Sequence, residues 1–171
     1  MFSGQRTSRL KSKLVVMDHQ ASRAGDAPAA PPELLAAPGY VVRRLYQAYL
    51  AAWVRKVDST LTGPQFALLT AINATPGTDQ RSLASMVALD SSTMTDVARR
   101  VEDQGLIVRK PAATDGRRKL LYLTDRGREV LAAANRRARQ LDEVLLEPFP
   151  AQRREELMRL LTDLADHWES L

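Results

Sequence analysis

The sequence predicts a mainly α-helical chain that carries one small β-hairpin, and three observations predict it. From Tyr40 to Trp168 apolar residues recur at helical spacing in successive blocks. Those blocks are punctuated by capping Thr, Asp and Ser residues and by Gly and Pro stops. Only Leu106–Lys110 and Lys119–Leu123 read as strands, around a turn-rich centre. A length of 171 residues usually makes one domain and buries a sufficient core without a metal or a disulfide. The 44% hydrophobic and 26% charged fractions are those of globular proteins. With no cysteine, a disulfide framework, a thiolate nucleophile and a cysteine redox sensor are excluded. No window approaches the roughly 18 apolar residues of a membrane helix, and Leu14–Met17 is too short for a signal-peptide core. A cytoplasmic protein with no membrane partner is expected.

The elements follow in order. Residues 1–32 combine Arg6, Arg9, Lys11 and Lys13 with an Ala/Pro-rich run and lack apolar periodicity, so a tail is expected there; Met1 and Met17 are both possible starts. A first helix over about 38–58 is predicted by Val41, Leu45, Tyr49, Leu50, Trp53, Val54 and Val57. Thr62 ahead of Gly63 and Pro64 places an N-cap before a first-turn proline, and a second helix runs on through Phe66, Leu69 and Ile72. Asn73–Thr78 closes it. A short third helix fits Gln80–Leu89. After a tight turn, Asp90 and Ser91 cap a fourth helix, which runs through Met94, Val97, Ala98 and Val101 to a stop at Gly105. The hairpin comes next. Thr124 opens a long fifth helix, Pro148 and Pro150 interrupt it, and a sixth occupies about 151–169.

Two short helices joined by a tight turn, with a hairpin directly behind the second, form the pattern of a winged helix-turn-helix. Such a recognition helix presents small polar groups at its N-terminal turn, where they reach base edges while the positive helix end faces phosphate. Ser91, Ser92, Thr93 and Thr95 are placed for this, with Arg99 further along. Taken alone, Ser and Thr at a helix start are often simple caps. The hairpin tip supplies Arg117, Arg118 and Lys119 in a row, beyond what a solvated turn needs. Charge is distributed accordingly. Residues 81–128 hold ten Lys/Arg against six Asp/Glu, net +4, whereas residues 140–171 hold three against eight, net −5.

The stretch Leu89–Gly127, LDSSTMTDVARRVEDQGLIVRKPAATDGRRKLLYLTDRG, resembles the winged-helix core of MarR-family transcriptional regulators. The matching features are the Gly105-Leu106 step, the Asp-x-Arg of Asp115 and Arg117, and the Leu123-Thr124 and Gly127 opening of the next helix. With the flanking helices, the resemblance covers about residues 38–170. It implies one domain over 33–171, with a DNA-binding lobe at 62–127 and dimerisation helices at 33–58 and 128–171. It implies a homodimer on double-stranded DNA at a palindromic operator of about 16 to 20 base pairs, with Arg117 in the minor groove and Asp115 fixing the wing. The apolar stripe Leu157, Leu160, Leu161, Leu164 and Trp168 suits a two-fold partner, or alternatively the chain's own first helix.

Members of this family often release DNA on binding a small aromatic acid, and the sequence has a general similarity to regulators of nicotinate or related ring-degradation operons. Tyr46, Tyr49 and Trp53 with Arg43 offer rings beside a guanidinium, as an aromatic carboxylate requires, although rings at helical spacing more often serve a core. No cofactor is expected, and no metal, since His19 and His167 stand far apart, in the tail and in the terminal helix. No nucleophile–base set, paired carboxylates or phosphate-binding glycine loop suggests an enzyme. The competing expectation is an architectural winged helix that binds DNA without reading sequence or responding to a ligand.

Overall fold

A computed structural model describes residues 29–58, 60–112 and 118–171. The elements are α1 (Pro32–Leu35), α2 (Pro38–Lys56), α3 (Gly63–Ala74), β1 (Thr78–Asp79), α4 (Gln80–Met86), α5 (Ser91–Asp103), β2 (Ile107–Pro111), β3 (Lys119–Leu123), α6 (Asp125–Leu146) and α7 (Ala151–Glu169). All six expected helices are present, and α1 is an additional turn of helix ahead of them. The hairpin is wider than expected. β1 pairs antiparallel with β3, giving the order β1-β3-β2, with Arg109 opposite Leu121 and Thr78 on the other side of the same residue. A two-residue strand has too few positions to show alternation, so β1 was not predicted.

Local chemistry explains each start and stop. Thr62 and Gln65 form a reciprocal capping box at the start of α3: the Thr62 N–H donates to the Gln65 amide oxygen at 2.8 Å, and the Gln65 N–H donates to the Thr62 hydroxyl at 3.4 Å. Asp79 and Asp90 accept backbone N–H groups at the starts of α4 and α5. α5 ends in a Schellman turn, in which the Leu106 N–H reaches the Val101 carbonyl at 2.9 Å, the Gly105 N–H reaches Glu102 at 2.8 Å, and Gly105 sits at φ +70°. α4 ends in the same way, yet its left-handed residue is Ala88, at φ +52°.

Met94, Val97, Ala98 and Val101 of α5 are all buried, as their spacing predicts. They meet Leu68, Leu69 and Ile72 of α3, Leu83 of α4, and Ile107 and Leu121 of the sheet in one apolar core. α6 adds Leu131, Ala134, Ala138 and Leu141 to it. At about 25 cal/mol per Å² of apolar surface, each of the Leu, Ile, Val and Met side chains among them contributes roughly 1.5–3 kcal/mol. α7 buries no residue, and Met158, Leu160, Leu161, Leu164 and Trp168 remain exposed along it. Among the described residues no helix is long and apolar enough to cross a membrane.

Candidate nucleic-acid interface

The outer side of α5 follows from its buried one. With Met94, Val97, Ala98 and Val101 turned inward, Ser91, Ser92, Thr95, Arg99 and Arg100 face solvent and Thr93 is half-buried. Two hydroxyls at this end, those of Ser92 and Thr93, are already committed. Ser92 and Thr93 donate to the two carboxylate oxygens of Asp90, whose Oδ1 also accepts their N–H groups at 2.9 Å each. These bonds hold the Asp90 carboxyl well below the usual carboxylate range, the Ser92 hydroxyl contributing most. Ser92 and Thr93 therefore shape the helix end, which is the capping role that sequence left open for them. Arg99 folds back to Asp96 at 3.1 Å, an exposed pair that costs little to break in favour of a phosphate.

Thr95 is engaged differently. Its hydroxyl donates to the Ser91 carbonyl at 2.8 Å and accepts from the Gln80 amide nitrogen at 3.1 Å. The Gln80 oxygen accepts from the Arg109 guanidinium at 2.9 Å, and Arg109 Nε donates to Glu102 at 2.8 Å. One polar chain thus ties β2 to α4 and to both ends of α5. Gln80, Glu102 and Arg109 were not among the residues singled out in the sequence. Arg109 lies 29 positions from Gln80, and nothing local signals the pairing.

The wing is anchored at its base. Arg118 pairs with Asp79, and this ion pair, with the Ser82 N–H and hydroxyl, holds the Asp79 carboxyl far below the usual range. Lys110 stands 5.1 Å above the Tyr122 ring, on the adjacent strand. Arg117 and Asp115 lie outside the described residues. A cleft of about 370 Å³ opens between α4 and α5, lined by Gln80, Arg81, Ser85 and Ser91 among others.

The residues expected to meet a ligand separate in space. Tyr49 lines an apolar cavity of about 590 Å³ together with Phe66, Ala71, Met86 and Val87. Burial, with Asp142 nearby, pushes the Tyr49 phenol up, so it stays protonated at neutral pH. Trp53 is only 3% exposed and spends its indole N–H on the Leu61 carbonyl at 2.6 Å. Its ring packs 5.0 Å from Phe66, so Trp53 belongs to the core rather than to the cavity wall. Arg43 and Tyr46 lie on the exposed side of α2, outside that lining, and Arg43 sits 5.7 Å over Tyr40.

Residues 61–119 match the MarR family model. The chain is 34% identical to the transcriptional regulator HosA of Escherichia coli over 120 residues, which are 70% of this chain and 88% of HosA. The crystal structure of the PcaV transcriptional regulator of Streptomyces coelicolor with its natural ligand superposes with a TM-score of 0.76 at 37% identity, covering 81% of this chain and 98% of PcaV. The transcriptional repressor CouR bound to a 23-mer DNA duplex superposes at 0.73 with 28% identity, covering 81% and 99%. With the capped recognition helix, the anchored wing and these matches in agreement, the chain belongs to the MarR family of winged-helix, DNA-binding transcriptional regulators.

Proposed function

We propose that this protein is a homodimeric, cytoplasmic repressor that binds a palindromic operator and is released from it by a small aromatic acid. The observation that carries this reading is the exposed polar side of α5 beside a basic wing base, on a lobe whose companion helix α7 leaves its apolar stripe uncovered. Residues 62–127 would form the DNA-binding lobe of a single domain over 33–171, with α2, α6 and α7 pairing about a two-fold axis. Two recognition helices would then enter successive major grooves. Ser91 and Thr95 face the bases, Ser92 and Thr93 set the helix end, and Arg99, Arg117 and Arg118 meet the backbone or the minor groove.

The effector site is the cavity beside Tyr49. PcaV was solved with its natural ligand and CouR on DNA, which supports a ligand-responsive reading of the same fold here. Arg43 and Tyr46 would serve that site across the dimer, where a guanidinium can balance a carboxylate.

The test is selection of duplexes from a random library by the purified protein, followed by anisotropy titrations with hydroxybenzoates and hydroxynicotinates. One palindrome bound about 10³-fold more tightly than random duplex at matched salt is expected. An aromatic acid should then release it, and less readily from Tyr49→Ala and Arg43→Ala proteins. Equal affinity for all duplexes would leave the architectural alternative standing.

A further inference from the structure

The hydrogen-bond polarity of Thr95 is dictated by Arg109, acting through Gln80. A guanidinium can only donate, so the Gln80 group facing Arg109 at 2.9 Å must be its carbonyl oxygen. The Gln80 amide nitrogen is then the group that faces Thr95, and it donates to the hydroxyl at 3.1 Å. The Ser91 carbonyl can only accept, so the single Thr95 proton goes to it at 2.8 Å. One lone pair is left on the hydroxyl, and Thr95 is exposed on the outer side of α5.

Threonine in a helix divides between two χ1 rotamers. Gln80 and the Ser91 carbonyl together select one of them, and Glu102 holds Arg109 in place to do so. We propose that Gln80, oriented by Arg109, is a specificity-determining positioning residue: it fixes Thr95 as a pure hydrogen-bond acceptor, so that the opposed base presents an exocyclic amine, adenine N6 or cytosine N4. In the major groove those two amines are the donors, whereas guanine O6 and N7, thymine O4 and the phosphates only accept. The inference rests on the docking of α5 in the major groove.

The experiment profiles base preference by library selection for the wild type, Gln80→Met, Thr95→Val and the double variant, with thermal melting as the check on folding. The wild type should prefer adenine or cytosine at one position per half-site. Gln80→Met should reduce that preference about fivefold while affinity for random duplex holds within about twofold. Thr95→Val should remove it, and adding Gln80→Met to that background should change nothing more. Arg109→Met, which frees the Gln80 amide to turn over, should weaken the same preference with Gln80 still present. Replacing the adenine by purine, or the cytosine by 2-pyrimidinone, should cost the wild type about fivefold and Thr95→Val nothing. Additive effects of Gln80→Met and Thr95→Val, or an unchanged profile in Gln80→Met, would overturn the proposal while groove docking stands. A wild type that selects no sequence overturns both.

Discussion

At the scale of single residues, two glycines in helices behave oppositely. A Cβ on Gly127 would lie 2.0 Å from the Leu106 carbonyl oxygen, which already accepts the Thr124 N–H at 3.0 Å. Gly127→Ala should therefore push α6 off the end of α5 and cost about 2–3 kcal/mol in denaturant unfolding. Gly39, with nothing within 4 Å of such a Cβ, should accept alanine with a gain of about 0.5 kcal/mol. Asp79 sets an acid limit. Its lowered pKa, caused first by Arg118, gives stability that is complete above the ordinary carboxylate value near 4 and is lost as pH falls toward the folded-state value. Asp79→Ala should thus cost about 1 kcal/mol at pH 7 through the lost cap, and the gap in melting temperature from wild type should begin to narrow as pH falls below about 4. A pH-independent gap would show that the carboxylate charge is irrelevant. The sequence displayed Asp90 and Thr124 as caps because capping is local, whereas the partners of Arg109 and Trp53 are set by packing between distant segments.

At the scale of elements, the turn between α4 and α5 keeps a left-handed alanine where α5 ends on glycine. Ala88→Gly should raise stability by up to about 1 kcal/mol, since relief of the strained φ outweighs the added chain entropy of glycine; a drop in melting temperature would mean the turn is not strained. Helix periods and stops were readable because each helix carries its own apolar face and caps. That is why α3, α5 and α6 lie where Thr62, Asp90 and Thr124 indicate. β1 was not readable, because pairing with β3 rather than its own composition makes it a strand. The ligand set was legible only in part. Helical spacing puts Tyr49 and Trp53 on one side of α2, but cannot tell which ring faces a cavity and which is covered by Phe66.

At the scale of the whole molecule, charge and apolar surface are segregated. The lobe is basic, and the end formed by α7 is acidic and rich in exposed leucine. If that stripe joins two copies, Leu161→Glu with Leu164→Glu should elute at monomer mass in light-scattering chromatography, and its melting temperature should no longer rise with protein concentration. A dimer surviving both charges would place the two-fold contact elsewhere. α6 joins the two ends. Its first turn is hooked to the recognition helix, because the Thr124 hydroxyl donates to the Gly105 carbonyl at 2.8 Å and accepts the Gly127 N–H at 2.9 Å. Its 22 residues make a rod about 33 Å long. Such a rod is a lever with the reading head fastened to its tip. A tilt of about 3° at the far end sweeps that head through nearly 2 Å by the same geometry, well beyond the roughly 0.7 Å that separates a made hydrogen bond from a broken one.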